Sequence, residues 1–321
     1  MSPFLLTRTL PEDAVEADLR ADVLHGLTRT PKELPPKWFY DARGSELFEE
    51  ITRLPEYYPT RAEREILIAR ASEIAAATGA RTLVELGSGS SEKTRHLIDA
   101  LLPGLENYVP VDVSESALRG AAEALNAERP GLMVHALVAD FTRGLALPGT
   151  PGPRLVAFLG GTIGNLLPEE RRLFLRSARS LLSPGDALLL GTDLVKEERT
   201  LIAAYDDAAG VTAEFNKNVL SVLARELGAD VDPGDFDHVA VWDRDNEWIE
   251  MRLRAREALT VKIRELDLAV SFAAGEELRT EVSAKFRQEG VRAELASCGL
   301  ELARWWTDGE GRFALSLATA V

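Results

Sequence analysis

Four places in this 321-residue sequence put chemistry-bearing residues directly after a short apolar run. The first is Glu85-Leu86-Gly87-Ser88-Gly89, where the run from Arg81 to Leu86 enters a glycine pair. The second is Asp112, which closes Val109-Pro110-Val111, and the third is Asp140-Phe141, after a run ending at Val138. The fourth is Phe158-Leu159-Gly160-Gly161-Thr162-Ile163-Gly164-Asn165. Glycines after a strand let the backbone approach a ligand closely, and a following helix aims its N-terminus at the same spot. A bare G-x-G reads either as a nucleotide site or as a tight turn.

The neighbours narrow the choice. The spacing G-x-x-x-x-G-K-[ST] is absent, which excludes phosphoryl chemistry on a P-loop. The third glycine of a dinucleotide fingerprint is replaced by Glu92. Glu85 sets a carboxylate under the loop, a poor neighbour for a pyrophosphate and an acceptable one for a neutral or cationic ligand. An acidic residue at Asp112 suits the two hydroxyls of a ribose. The carboxylate of Asp140 and the ring of Phe141 suit the amine and the face of an adenine. Each loop is ordinary alone, since loops after strands are commonly polar and glycine-bearing. Together they fit a nucleoside that carries positive charge, and S-adenosylmethionine, with its sulfonium, is one.

These groups need a scaffold that brings successive strand ends to one edge. A helix is expected over Arg61 to Ala77, then strands at Arg81–Leu86, Tyr108–Val111, Met133–Val138, Leu155–Leu159 and Ala187–Leu190. Helices from about Glu115 and over Glu169–Ser180 fall between them. That alternation predicts a parallel sheet covered on both faces. After Lys196 the texture changes to helices near 197–209 and 211–227. Period-2 stretches follow at Ile249, Met251 and Leu253, at Val261–Val270 and at Leu278–Phe286. A helix over Val291–Cys298 and two strands joined at Thr307–Gly311 return to the first style. The proline- and aromatic-rich residues up to 60, with an acidic helix near 11–27, read as a docking arm or as a pocket wall. The expected organisation is residues 61–196 with 286–321 as the nucleoside-binding domain, and 1–60 with 197–285 as a second, inserted α+β domain. A cleft between them is the default place for a site.

Composition bounds the partners. Acidic residues outnumber basic ones 52 to 37, for a formal charge of -15, and a field of that sign repels phosphate backbones. No nucleic acid and no membrane partner is therefore expected, since no apolar run approaches the roughly 18 residues of a span and no signal-peptide pattern opens the chain. The lone cysteine, Cys298, fits a reducing, cytoplasmic setting. The four histidines, His25, His96, His135 and His238, lack metal-ligand spacing, so no metal is expected. No serine lies in a G-x-S-x-G elbow.

The motifs Glu85–Gly89, Asp112, Asp140-Phe141 and Leu182-Ser183-Pro184-Gly185-Asp186 resemble the class I S-adenosylmethionine-dependent methyltransferase pattern. Longer stretches resemble its histidine-specific family: Pro35–Asp41, Ile51–Arg61, Leu86–Thr94, Phe158–Asn165, Leu190–Lys196 and Ala204–Asp207. The resemblance covers essentially the whole chain. It implies a Rossmann-like α/β domain ending in an antiparallel hairpin, with an inserted α+β substrate-binding domain. The implied reaction places three methyl groups on the α-amine of L-histidine, giving hercynine in ergothioneine biosynthesis. Mono- and dimethyl histidine would be intermediates, and one S-adenosylhomocysteine would leave per methyl.

The same resemblance implies a site. The co-substrate falls to Glu85, Gly87, Ser88, Gly89, Lys93, Asp112, Asp140, Phe141 and Gly160. The substrate carboxylate falls to Asn165 and Tyr205, the amine to Tyr57, and the imidazole, through water, to Tyr40. Glu281 and Ser283 would read the ring, with Met251 lining the pocket; Tyr57 and Asn165 are the candidate catalytic residues. Apart from the resemblance, Glu281-Val282-Ser283 reads as the solvent face of a strand. Period 2 does set both side chains on one face. A monomer is expected. The rivals are a methyltransferase of another small amino acid or amine, or one that stops after one or two methyls, a nicotinamide-dependent oxidoreductase, and a nucleoside-binding module without turnover.

Overall fold

The computed structural model describes residues 4–11, 13–89, 91–141 and 144–321, so Ser90 of the glycine loop lies outside the described residues. Two compact units emerge. One holds Pro59–Leu194, Phe286–Val321 and the described residues up to Pro11; the other holds Val195–Lys285 and the described residues from Asp13 to Tyr58.

The first unit is built on an eight-stranded sheet. Its centre is β3 (Thr82–Leu86), flanked by β4 (Asn107–Asp112) and β6 (Arg154–Phe158). Beyond β4 lies β5 (Met133–Val138), and beyond β6 lies β7 (Ala187–Asp193), all parallel. Every residue of β3 is buried, as a strand covered on both faces requires. The chain leaves β3 toward β4 and β5, then returns to β6 and β7 on the other side. The carboxyl ends beside β3 are thus a topological switch point, where open α/β sheets bind ligands.

The crossovers carry α4 (Thr94–Leu101), α5 (Glu115–Glu128) and α6 (Pro168–Leu181), while α3 (Pro59–Thr78) precedes β3. Ser114 caps α5 by accepting from the backbone N–H of Ala117, and Glu170 reaches back to accept from Leu167 N–H at the start of α6. After α9 (Gln288–Ser297) come β13 (Leu300–Thr307) and β14 (Phe313–Ala320), an antiparallel pair with β14 antiparallel to β7. The buried carboxylate of Asp308 holds their turn, accepting from the N–H groups of Arg312 and Phe313 at 2.6 and 2.8 Å.

One strand differs from the expected partition. β1 (Leu5–Arg8) belongs to the first unit, pairing in parallel with the edge of β5 from Leu5 beside His135 to Arg8 beside Val138. Its outward faces are wet, with Leu5 48% exposed, so it has no apolar alternation to read. The open backbone edge of β5 pairs with it, and Leu6 packs against the buried cluster of Leu118, Ala136 and Val138.

In the second unit, a four-stranded sheet runs β2 (Lys32–Glu33), β12 (Glu277–Ala284), β9 (Trp248–Ala255), β8 (Phe236–Asp243). Helices α1 (Ala14–Thr28), α2 (Ala42–Ile51), α7 (Glu198–Tyr205) and α8 (Val211–Leu227) complete its core, where Val23, Phe39, Leu47, Leu201, Val219, Ile249 and Leu253 cluster. The alternating run Val261–Val270 is a hairpin: β10 (Leu259–Ile263) and β11 (Leu268–Phe272) pair antiparallel around Asp267, whose φ is +47°.

The pairing of β12 with β9 contains a bulge. Arg279 faces Arg252, yet Glu281 faces Met251, so one extra residue, Thr280, enters β12. Directly paired residues of an antiparallel ladder share a face, so Glu281 and Ser283 sit on the face of Met251 and Ile249. Without the bulge they would share the face of Arg279, where Glu33 and Glu250 form salt bridges.

Candidate active site

At the carboxyl ends of β3 and β4, Gly87 and Gly89 take φ values of +67° and +49°, a region that glycine enters without steric cost. The N–H groups of Gly87 and Ser88 donate back to Val111 O at 2.8 and 3.2 Å, which bends the loop over the sheet edge. Asp112 stands beside it, accepting from Gly89 N–H at 3.0 Å with one oxygen and from Ser114 N–H at 2.9 Å with the other. The loop, the acidic residue and the start of α5 are thereby one unit. Phe141 packs edge-on against Phe158 with ring centroids 5.2 Å apart, and a side chain on Gly87 would meet the Phe141 ring at 3.6 Å. The half-buried carboxylate of Asp140 precedes that ring.

Glu85 occupies a different place from the other loop residues. It is 4% exposed and lies beneath the loop, accepting from Thr94 Oγ1 at the start of α4 and from the hydroxyl of Tyr108. Tyr108 also bonds Ser91 Oγ at 2.7 Å. Burial pushes the Glu85 carboxyl up to about 7, against the opposing pull of Thr94, Tyr108 and the Lys93 charge. Glu85 therefore supports the loop from below, joining β3, β4 and α4.

A second buried carboxylate braces the fourth motif. Glu63 of α3 is 0% exposed; one oxygen accepts from Gly160 N–H at 2.7 Å and the other from the ammonium of Lys93. This fixes the loop after β6 to the start of α4. A side chain on Gly191 in β7 would lie 2.5 Å from Glu63 Oε1, so glycine there makes room for the carboxylate. Asn165 ends the short 3-10 helix Thr162–Asn165 in the same unit and is half-buried.

The loop has room and need for a polar ligand. Ser88 Oγ is buried and has no hydrogen-bond partner among the described residues, and a side chain on Gly89 would meet nothing within 4 Å. These features, with Asp112, Asp140, Phe141 and Lys93 around the switch point, fit S-adenosylmethionine. Among the described residues no group of three or more His, Cys, Asp and Glu side chains is placed to hold a metal ion. No helix of the described residues is long and apolar enough to cross a membrane.

The second unit gathers Tyr40, Tyr57, Tyr205, Met251, Glu281 and Ser283. The rings form an edge-to-face series: Tyr40 to Phe48 at 5.5 Å, Phe48 to Tyr57 at 6.1 Å and Tyr57 to Tyr205 at 6.5 Å. Tyr40 is followed by Asp41, which caps α2 by accepting from Gly44 N–H and also binds Asn218 and Arg225. Burial alone would raise the Asp41 carboxyl; those bonds outweigh it and lower it. Tyr40 is 49% exposed by area, yet desolvation around its phenol, with the charge of Glu281 adding to it, holds the hydroxyl protonated far above its ordinary range.

The hydroxyl of Tyr205 lies 2.7 Å from Ser283 Oγ, which joins α7 to the bulged face of β12. Met251, directly opposite Glu281, is 1% exposed. The carbonyl of Tyr205 lies 2.8 Å from His238 Nε2, and Nδ1 of the same ring lies 2.8 Å from the side-chain amide of Asn216. Thr280, the bulge residue, donates to Asn216 Oδ1 at 2.5 Å. Burial lowers the His238 pKa, so the ring is neutral at pH 7, its Nε2–H donated to Tyr205.

The sequence profile of the family described as histidine-specific, S-adenosylmethionine-dependent methyltransferases matches residues 19–320. The chain belongs to that family. It is 58% identical over 315 residues to a histidine N-alpha-methyltransferase of Mycolicibacterium smegmatis, covering 98% of each chain. It is 56% identical over 311 residues to the protein of that name in Mycobacterium tuberculosis, covering 96% of this chain and 97% of the other. A third relative, ergothioneine biosynthesis protein 1 of Schizosaccharomyces pombe, is 30% identical over 243 residues, which cover 71% of this chain and 31% of that longer one.

Within this methyltransferase several residues that position the site carry no readable signal in the sequence. Glu63 sits in Arg61-Ala62-Glu63-Arg64-Glu65, which looks like a solvated helix face. Tyr108, Asn216 and Lys285 each look like ordinary members of a strand or helix. His238 stands out only by lacking metal-ligand spacing, and its actual partner is a backbone carbonyl.

Proposed function

We propose that this methyltransferase transfers methyl groups from S-adenosylmethionine to the α-amine of L-histidine, three in succession, producing hercynine for ergothioneine synthesis. The observation that carries this reading is the bulge in β12, which turns Glu281 and Ser283 onto one buried face with Tyr205 bonded to Ser283. An acceptor and a hydroxyl two residues apart suit the two nitrogens of an imidazole. The names of the mycobacterial relatives support the same substrate.

In this reading Gly87, Ser88, Gly89, Asp112, Asp140, Phe141, Gly160 and Lys93 hold the co-substrate, with Glu85 as their support. Asn165 and Tyr205 bind the carboxylate, Tyr57 orients the amine, Tyr40 meets the ring through water, and Met251 shapes the pocket floor. S-adenosylmethionine supplies an electrophilic methyl on a sulfonium; the S–CH3 bond breaks as the N–CH3 bond forms, and the released thioether is neutral. The protein's task is alignment of the nitrogen lone pair with that bond, so positioning carries much of the rate. The amine is a nucleophile only after losing its proton. Neither Tyr57 nor Asn165 is a strong base, and the proton leaves to water before or during binding. The enzyme works as a cytoplasmic monomer on the free amino acid and its mono- and dimethyl forms.

Mass spectrometry of histidine incubated with the protein and S-adenosylmethionine tests the reading. Successive gains of one, two and three methyls, ending in the betaine, are expected. Binding of S-adenosylmethionine with no methylated histidine overturns the substrate and redirects the search to other small amines.

A further inference from the structure

Ser283 and Tyr205 share a third neighbour that neither sequence nor family description singles out. Lys285 is 4% exposed and directly follows the last residue of β12, two positions past Ser283. Its ammonium donates to Tyr205 Oη and to Ser283 Oγ, both at 2.8 Å, and lies 4.6 Å from the centroid of the Tyr205 ring. With the 2.7 Å contact between the two hydroxyls, the three groups close a triangle.

The triangle constrains its protons. An ammonium has only donors, so both hydroxyl oxygens accept from it. With the Ser283 proton bridging to Tyr205 Oη, the Tyr205 proton is directed outward as the donor to a further acceptor, and Ser283 keeps one lone pair with which to accept from a ring N–H. A cation one bond behind that donor strengthens it toward an anion and does little for a neutral group. Burial enlarges the effect, because charges removed from water are weakly screened. An α-amino acid offers such an anion in its carboxylate; the corresponding decarboxylated amine does not.

We infer that Lys285 is a positioning residue that selects carboxylate-bearing substrates, acting through the hydroxyls of Tyr205 and Ser283. The inference rests on the proposed role of Tyr205 at the substrate carboxylate. It extends that role by assigning the selection of an amino acid over a simple amine to a buried charge two residues past Ser283.

The test compares histidine with histamine, which keeps the imidazole and amine and lacks the carboxylate. Calorimetric titration of each into the enzyme saturated with S-adenosylhomocysteine gives the preference. For the unaltered enzyme, histidine should bind at least 100-fold more tightly. Lys285→Met should reduce that preference by 10- to 100-fold, by weakening histidine and leaving histamine within about threefold, with a matching rise in KM and a smaller change in kcat. Lys285→Gln keeps hydrogen-bond donors without charge and should behave like the methionine variant. It also serves if that variant fails to fold, and unchanged S-adenosylhomocysteine affinity certifies either as intact. Equal weakening of both ligands, or a preference retained in Lys285→Gln, overturns the inference. Failure of the unaltered enzyme to bind histidine at all overturns the substrate reading itself, a result separable from the variants.

Discussion

Arg279 and Glu281 stand two residues apart in β12 and point to opposite faces of the sheet. Arg279 pairs with Arg252 and bridges Glu33 and Glu250, whereas Glu281 pairs with Met251 on the buried face. Strict alternation puts residues two apart on one face. The inserted Thr280, 0% exposed and bonded to Asn216, is what separates them. A salt-bridged face and the face of Met251 and Ile249 thus meet within three residues of one strand.

Glu281 is expected to govern the ring and not the co-substrate. Glu281→Ala should weaken histidine binding by roughly 100-fold, because an imidazole N–H left without its acceptor costs about 1–3 kcal/mol. S-adenosylmethionine affinity should stay within twofold, as measured by titration of each ligand. Equal loss of both would assign Glu281 a role in folding alone.

Glu63 is expected to act on the other ligand. Glu63→Gln removes the charge facing Lys93 and weakens the tie to Gly160. A charge-assisted bond lost in a buried site costs about 2 kcal/mol. The co-substrate should bind roughly tenfold more weakly, and the melting temperature should fall by several degrees. Gly191→Ala should do similar damage by crowding the same carboxylate, whose oxygen lies 2.5 Å from the added carbon. A stable Gly191→Ala variant with normal co-substrate affinity would show that the Glu63 brace is dispensable.

The Glu85 carboxyl gives the fold a pH dependence of unusual sign. Its pKa rises from 4.5 in an unfolded chain to about 7 here, chiefly by burial. Between these values the folded protein keeps a proton that the unfolded chain has released. Its contribution is therefore fully present below about pH 4.5 and is lost as pH rises through 7. Relative to Glu85→Gln, the unaltered protein should lose about 3 kcal/mol between pH 4.5 and 8, at 1.36 kcal/mol per pH unit. Parallel denaturant titrations across that range, with a constant difference between the two proteins, would refute the assignment.

His238 should act in the opposite direction. Its pKa is lowered from 6.5 by burial, so below that pH the unfolded chain takes up a proton that the folded ring resists. Stability is lost as pH falls below 6.5, because protonated Nδ1 can no longer accept from Asn216. His238→Phe should flatten this acid limb and raise the KM for histidine about tenfold, since the carbonyl of Tyr205 loses its donor. Thermal denaturation from pH 5 to 7 reads the first effect and steady-state kinetics the second. An unchanged acid limb would place the titration elsewhere.

Tyr57→Phe separates alignment from proton transfer. If water takes the proton, kcat should fall less than about tenfold, within the range that loss of one orienting hydrogen bond explains. A fall beyond 1000-fold with intact co-substrate binding would make the phenol a direct participant.

Local pattern decided much of this protein. The run Arg81–Gly89, the acidic residues at Asp112 and Asp140 and the glycine loop after Phe158 are legible because a parallel strand buried on both faces must be apolar and its following loop polar. The closing hairpin is legible because Asp308-Gly309-Glu310-Gly311 is a glycine-rich turn between two apolar-bearing runs. Other features depend on partners far away in the chain. β1 is a strand because the edge of β5 needed one. Glu63 is a brace because α3 meets the loop at Gly160, 97 residues on. The orientation of Glu281 is set by a single extra residue in a ladder with β9, and the triangle of Lys285, Tyr205 and Ser283 by the packing of α7 on that ladder. Periodicity reports which residues prefer to be buried. Register, bulges and the company kept by buried charges are fixed only when separate elements pack, because each is a relation between residues that the linear order holds apart.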